Sequence, residues 1–150
     1  MRKDKKILPP IYFFICLIAT VMLYIFFPIT KIVYYPLNLL GIVFVIFGIV
    51  INIWADNAFK TNKTTVKPFE KPSVLITSKS FSFSRHPMYL GFVSVLLGLS
   101  ILLGTLSPFL TPVLMFIILE TKFIPHEEET LEEIFGQKYK DYKNKIRRWL

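Results

Sequence analysis

The sequence contains the stretch HPMYLGFVSVLLGLSILLGTLSPFLTPVLMFIIL, residues 86–119, in which 34 residues pass without Lys, Arg, Asp or Glu. As one α-helix this stretch would be about 50 Å long, whereas the hydrocarbon core of a bilayer is about 30 Å thick. Its middle contains residues typical of turns and helix starts, namely Gly104, Ser107, Pro108 and Pro112. The stretch therefore predicts a helical hairpin, with one arm at about 87–103, a turn at 104–107 and a second arm at about 108–124.

Two further uncharged segments precede the hairpin. They run from Ile7 to Thr30 and from Ile32 to Ala55, and each has 24 residues, enough to cross a bilayer at about 20 residues per helix. The composition agrees, because 53% of residues are hydrophobic, only 19% are charged and the mean hydropathy is +0.53, whereas soluble domains carry about 25% charged residues. We expect an all-α, polytopic membrane protein with about four transmembrane helices, forming one domain over residues 1–150.

The charge distribution predicts an orientation. The net charge is +8, and of the 18 basic residues only Lys31 falls in the connection between the first two spans. With four spans the other 17 would lie on one side, which the positive-inside rule makes the cytoplasm. We therefore expect both termini to be cytoplasmic, in a cell inner membrane or an endomembrane. The positive charge then reflects topology and contact with membrane lipids, and no nucleic-acid partner is expected.

Two polar regions flank the hairpin. The connection from Asp56 to Arg85 has about 30 residues, and long connections of this kind are often functional. The tail from Glu127 to Leu150 repeats apolar residues at spacings of three and four, namely Leu131, Phe135, Tyr139, Tyr142, Ile146 and Trp149. This periodicity predicts one C-terminal amphipathic helix. Such a helix would lie on the membrane surface, with Trp149 at the headgroups, or fold over a site.

The first candidate cluster lies where the hairpin begins, at Ser84–Gly91. Pro87 suits the first turn of a helix, which places Arg85 and His86 at a helix N-terminus. Free N–H groups at that position favour anionic ligands. The alternative is a plain membrane boundary, in which Arg85 extends its charged end to the interface and Tyr89 belongs to the aromatic belt.

The second candidate cluster follows the hairpin, at Pro125–Glu129. Its three adjacent acids could bind a cationic or hydroxyl-rich ligand or form an ordinary solvated first turn. Glu120 lies deeper in the apolar arm, where an ionisable residue is a functional candidate by default, although the neighbouring Lys122 could simply neutralise it. A hairpin brings the start of one arm close to the end of the other, so we expect His86 and Glu127 to flank one cytoplasmic pocket. Such a pocket suits a ligand with both an ammonium and a carboxylate.

Several common kinds of site are not indicated. None of the six glycines belongs to a Gly-rich nucleotide-binding loop. His86 and His126 are too few and too isolated to predict a metal centre, and no metal is expected. The single cysteine, Cys16, excludes a disulfide framework within the chain.

Two motifs carry a family resemblance. The first is Arg85-His86-Pro87-Met88-Tyr89-Leu90-Gly91, preceded by Thr65-Val66-Lys67-Pro68-Phe69 and Leu75-Ile76-Thr77-Ser78. The second is Pro125-His126-Glu127-Glu128, followed by Leu131, Phe135-Gly136, Tyr139, Tyr142 and Arg147-Arg148-Trp149-Leu150. Together they resemble the isoprenylcysteine carboxyl methyltransferase family of integral-membrane enzymes, related to phospholipid methyltransferases. The resemblance covers about residues 64–150, whereas residues 1–63 match only as two generic membrane spans.

The resemblance implies a methyltransferase that uses S-adenosylmethionine as cofactor, with residues 64–150 as the cofactor-binding core. The cofactor contacts implied by position are Ser73, Val74, Leu75, Ile76, Phe81, His86, Pro87, Met88, Tyr89 and Glu127. The methyl acceptor would be lipidic or a small molecule, such as an isoprenylcysteine-type carboxylate, a phospholipid amine or a thiol. Glu120 is the candidate catalytic base if the acceptor is an amine. A membrane reductase that shares the C-terminal motif and a non-catalytic membrane protein are the alternatives.

Two positions depart from the family pattern. Lys79-Ser80 stands where the family commonly has a Gly-Pro or similar pair, and Phe123 stands where the eukaryotic enzymes have an arginine linked to the substrate. Because the second departure concerns the acceptor, the sequence leaves the identity of the acceptor open.

Overall fold

The computed structural model describes residues 7–65 and 70–150. Within these ranges the regular secondary structure is helical, apart from one isolated bridge, and the α-helices are α1 (Pro9–Phe26), α2 (Leu40–Thr61), α3 (Pro87–Leu103), α4 (Leu110–Ile118), α5 (Ile124–Phe135) and α6 (Gln137–Lys145). The only β-pairing in the described part of the chain is an isolated bridge between Lys31 and Thr105. The predicted all-α class is confirmed. The basic N-terminal residues 1–6 and the motif residues 66–69 lie outside the described ranges.

The helices match a membrane protein in length and surface. Three segments are long and apolar enough to cross a bilayer, namely Pro9–Phe26, Leu37–Thr61 and Ser107–Phe135. The first arm of the hairpin, α3, has 17 residues and is about 25 Å long. Large apolar side chains cover the outside of α1 and α2, for example Phe14, which is 58% exposed, and Val43, which is 62% exposed. The chain is an integral membrane protein. The third predicted span corresponds to the shorter α3, so the count of four transmembrane helices stays a prediction.

The first arm of the hairpin has the predicted bounds, the second arm begins at Ser107, one residue earlier than predicted, and the connection between α1 and α2 holds the turn between them. Helix α3 ends at Leu103, and Gly104 follows with a φ of +74°, in the left-handed region that glycine adopts readily. Gly104 O accepts hydrogen bonds from Ile32 N at 2.8 Å and Val33 N at 3.0 Å. The connection between α1 and α2, with Lys31, therefore lies at the end of the bundle opposite His86.

Glycines bring α2 and α3 into close contact. Gly41 and Gly48 of α2 face Gly98 and Gly91 of α3, and a Cβ atom placed on Gly48 would lie 2.6 Å from Gly91 O. Small residues at a regular spacing let two membrane helices approach backbone to backbone. This contact fixes the end of α2, where Phe59 packs on the core beside the two polar clusters.

The second arm continues further than the sequence predicts. Helix α4 passes through a π-helical turn, Leu119–Phe123, directly into α5, so the acidic cluster lies within a continuous helical rod. The single helix predicted over 127–150 is also different in the structure. Gly136, with a φ of +52°, separates α5 from α6, and the residues after Lys145 are not helical. The predicted apolar stripe persists along α5 and α6 because both short helices pack on the same core, whereas Trp149 packs on a second core with Leu119 and Phe123.

Candidate functional site

A cleft opens where the loop before α3 meets the start of α3, α5 and α6. It consists of two adjoining cavities that share Phe59, Phe81, Arg85, Glu127 and Leu131 in their walls. The other walls include Val74, Leu75, Ile76, His86, Pro87, Met88, Tyr89, Tyr139 and Tyr142. The residues implied as cofactor contacts thus line this cleft, apart from Ser73. Its backbone N–H instead donates to Thr64 Oγ1 at 3.1 Å.

The two sequence clusters meet at one end of the cleft. Pro87 occupies the first turn of α3, and His86 precedes it with its carbonyl accepting from Tyr89 N at 3.1 Å. The rings of His86 and Tyr89 lie parallel, with centroids 5.6 Å apart. Tyr89 Oη donates to Glu127 Oε1, and His86 Nδ1 lies 3.4 Å from Glu127 Oε2. The structure therefore brings His86, Tyr89 and Glu127 together as one polar group.

Glu128 is the centre of a second, more deeply buried group. Its side chain is 5% exposed, and its carboxylate lies 3.3 Å from His86 Nε2 and 3.3 Å from Arg85 Nη1. Arg148 donates to it twice, from Nε at 3.1 Å and from Nη2 at 2.8 Å. Lys143 Nζ is 3.9 Å away. The sequence offers one signal for Glu128, namely its place among three adjacent acids beside Glu127, but no sequence pattern assigns it a role distinct from theirs.

Glu120 does not line the cleft. Its carboxylate accepts from Arg148 Nη1 and from Trp149 Nε1, the latter at 2.9 Å. Trp149, expected at the lipid headgroups or on a helix over the site, packs against Phe116 with ring centroids 4.8 Å apart. The role of Glu120 as a base stays a prediction, and its carboxylate is already engaged by two donors.

Some buried polar atoms in the cleft walls make no hydrogen bond to a described residue, although one of them, Arg85 Nη1, forms an ion pair with Glu128. Arg85 Nε and Nη1 and Tyr139 Oη make no hydrogen bond to any described residue. Burial, followed by the charge of Glu128, raises the pKa of Tyr139 to about 12, so its hydroxyl stays protonated at neutral pH. Buried polar groups are normally hydrogen-bonded. These atoms can therefore form hydrogen bonds with a polar ligand or with solvent in the cleft.

The protonation of His86 gives a testable dependence on pH. Burial lowers the pKa of this imidazole, but hydrogen bonds and charges from Glu127 and Glu128 outweigh that effect and raise it above 6.5. A raised pKa in the folded state adds stability that is complete below about pH 6.5 and is lost as the pH rises through the folded pKa. We expect the difference in melting temperature between the wild type and His86→Gln to shrink between pH 6 and pH 9. A difference that stays constant over this range would contradict the protonated state.

Comparisons with known proteins agree with the geometry. A family profile described as phospholipid methyltransferase matches residues 37–138. The chain belongs to this family. The matched region of this phospholipid methyltransferase family member contains α2, the hairpin and the cleft residues from Phe59 to Leu131.

Individual relatives point in the same direction. A protein-S-isoprenylcysteine O-methyltransferase of Saccharomyces cerevisiae is 37% identical over 79 residues, which cover 51% of this chain and 32% of the yeast protein. A probable protein-S-isoprenylcysteine O-methyltransferase of Oryza sativa is 30% identical over 119 residues, covering 75% of this chain and 60% of the rice protein. The resemblance to the isoprenylcysteine carboxyl methyltransferase family is confirmed. The chain spans about a third to three fifths of the length of these two relatives.

A solved structure shares the fold. The eukaryotic intramembrane Ras methyltransferase, an isoprenylcysteine carboxyl methyltransferase, superposes with a TM-score of 0.63 at 21% sequence identity. The superposition covers 100% of this chain and 53% of that protein. The 150 residues therefore correspond to about half of the larger enzyme.

Proposed function

We propose that this protein binds S-adenosylmethionine in the cleft and transfers its methyl group to a lipid-like acceptor, with an isoprenylcysteine-type carboxylate as the first candidate. The observation that carries this proposal is the convergence of His86, Tyr89 and Glu127 at one end of an apolar cleft. A carboxylate placed beside polarised donors suits the ammonium and carboxylate of an amino-acid moiety. The membrane methyltransferase relatives support a methyl donor as the ligand.

The cleft fits this cofactor in chemical character. The side chains of Val74, Leu75, Ile76 and Phe81 form an apolar wall suited to a flat adenine ring. Tyr142 Oη donates to the carbonyl of Phe81 at 2.7 Å and so fixes this part of the wall. Arg85 Nε and Tyr139 Oη, which make no hydrogen bond to a described residue, lie in the same walls as Glu127 and are available to the polar part of the ligand.

In the proposed reaction the protein mainly has to position the methyl donor and the acceptor. S-adenosylmethionine supplies an already activated methyl group when bound, so the residues of the cleft mainly orient donor and acceptor and exclude water. A carboxylate acceptor needs no general base, whereas an amine or thiol acceptor would need one. Glu120, the base predicted from the sequence for an amine acceptor, lies outside the cleft walls and is held by Arg148 and Trp149.

We further propose that the cleft faces the cytoplasm. Lys31 lies at the opposite end of the bundle, whereas Lys60, Lys79 and Arg85 lie at the cleft end. An excess of Lys and Arg marks the cytoplasmic side of membrane proteins. In this orientation the acceptor enters the cleft sideways from the membrane.

The deciding experiment combines binding with methyl transfer. We expect purified protein to bind S-adenosylhomocysteine in calorimetry and to transfer labelled methyl groups from S-adenosylmethionine to a member of a panel of prenylcysteine analogues, phospholipids and small thiols. Transfer only to phospholipid amines would replace the isoprenylcysteine acceptor with the alternative that the family description suggests. Binding of NADPH in preference to S-adenosylhomocysteine would contradict the methyltransferase proposal and favour a reductase. Binding without any transfer across the panel would favour a non-catalytic role.

A further inference from the structure

The chain crosses back over the site after α6. We refer to residues 146–150 as the C-terminal strap. Its backbone is bound at the start of the hairpin, where Arg85 N donates to Arg147 O at 3.1 Å and Ser84 Oγ donates to Arg148 O at 3.2 Å. The strap therefore joins the segment that carries His86 to the continuous helix formed by α4 and α5.

Arg148 makes the side-chain connections of the strap. Its planar guanidinium binds Glu128 through two nitrogen atoms, at 3.1 Å and 2.8 Å, and binds Glu120 through the third. Trp149 Nε1 secures the other oxygen of Glu120 at 2.9 Å. A bidentate arginine fixes the orientation of a carboxylate as well as its charge. Glu120 and Trp149 in turn fix where the guanidinium lies.

The fixed carboxylate of Glu128 in turn orients His86, which lines the cleft. One imidazole nitrogen, Nε2, lies 3.3 Å from Glu128, while Nδ1 lies 3.4 Å from Glu127, which lines the cleft. A carboxylate behind a histidine sets the tautomer and the direction of the ring. The orientation of the imidazole at the cleft thus depends on a carboxylate that the strap holds.

We propose that Arg148 is a positioning residue for the cofactor site, holding Glu128 against His86, and that Glu120 serves as the anchor of Arg148 rather than as a base. This inference rests on the proposed function, because it assumes that the cleft binds the methyl donor. In this arrangement the strap orients His86 from its buried side through Glu128, while Glu127 and Tyr89 contact the ligand from the open side of the cleft.

The proposal predicts a specific pattern of coupling. We expect Arg148→Gln and Glu120→Gln each to weaken S-adenosylhomocysteine binding about tenfold, and the double variant to be no weaker than the weaker single variant. Residues that act through one interaction are non-additive in this way. In methyl transfer, the KM for the donor should rise while the KM for the acceptor stays unchanged.

Two further variants separate positioning from general loss of structure. Arg147→Gln removes the same charge one residue away, where the side chain is exposed, and should bind within about twofold of the wild type. Arg148→Lys keeps the charge without the bidentate contact and should lie between the wild type and Arg148→Gln. Arg85 and Lys143 also face Glu128, and Tyr89 lies beside His86. These neighbours therefore keep Glu128 and His86 partly oriented when Arg148 is replaced.

The dependence of binding on pH provides the readout that a purely structural role would not move. Without the positive charge of Arg148, the carboxylate of Glu128 attracts the imidazole proton of His86 more strongly. The pH at which the affinity for S-adenosylhomocysteine changes should therefore be higher in Arg148→Gln than in the wild type, and unchanged in Arg148→Lys. Multiplicative effects of Glu120→Gln and Arg148→Gln, or a lower kcat in Glu120→Gln with unchanged affinity, would overturn the proposal. Wild-type protein that binds no S-adenosylhomocysteine would contradict the proposed function itself, whereas wild-type binding that Arg148→Gln leaves unchanged would contradict only the role of Arg148.

Discussion

Replacement of Glu127 with alanine is expected to weaken S-adenosylhomocysteine binding by at least about 100-fold. Its carboxylate accepts the Tyr89 hydroxyl and faces His86 Nδ1, so its loss leaves two buried donors without their acceptor as well as removing the proposed ligand contact. Truncation of one partner in a buried, hydrogen-bonded charged pair costs about 2–5 kcal/mol, and about 2.7 kcal/mol corresponds to 100-fold in affinity. His86→Ala should have an effect of the same order, and calorimetry on purified protein measures both.

The matched control for this prediction is Glu129→Ala. It removes the same carboxylate two residues away on an exposed face of α5, so its affinity should stay within about twofold of the wild type. Thermal melting of each variant checks that the protein is folded. A folded Glu127→Ala variant that binds as tightly as Glu129→Ala would remove Glu127 from the site.

Replacement of Gly48 with leucine is expected to prevent stable folding. A Cβ atom at this position would lie 2.6 Å from the backbone oxygen of Gly91 and 2.7 Å from Val95 Cγ2. Because the first of these neighbours is backbone, the two helices would have to separate. Overpacking of well-packed sites typically costs about 1–3 kcal/mol, and we expect at least the upper end here. The melting temperature in detergent and the monodisperse fraction in size-exclusion chromatography measure the loss.

An exposed position on the same helix provides the comparison. Val50 is 56% exposed, so Val50→Leu enlarges a side chain toward the lipid and should change stability by less than about 0.5 kcal/mol. Equal melting temperatures for the Gly48 and Val50 variants would show that α2 and α3 do not pack through their glycines.

The sequence predicts the hairpin well because its signals are local. Pro87 begins α3 and Gly104 follows its last residue, and each acts through its own backbone conformation without help from distant residues. The meeting of His86 with Glu127 then follows from the connectivity alone. Both motifs also lie in order along the chain, so the family resemblance depends on the sequence alone.

The features that the sequence does not predict depend on distant packing. The apolar stripe from Leu131 to Ile146 is equally compatible with one helix and with two helices on one core. In the structure, Gly136, with its positive φ, separates the two helices. The return of Arg148 to Glu128 and Glu120 joins residues 20 and 28 positions apart. No local pattern encodes such a pairing, although the neighbouring acidic residues were visible as a cluster.

The π-helical turn at Leu119–Phe123 determines which way the acidic residues face. An α-helix turns by about 100° per residue, and a π turn accommodates one additional residue, so everything after it is rotated by about that angle. Helix α4 exposes Val113 and Ile117, while α5 presents Glu127 to the cleft and buries Glu128. The π-helical turn therefore shifts the helical register by one residue. Along the same continuous helix, α4 faces outward toward the membrane, whereas α5 faces inward and lines the cleft.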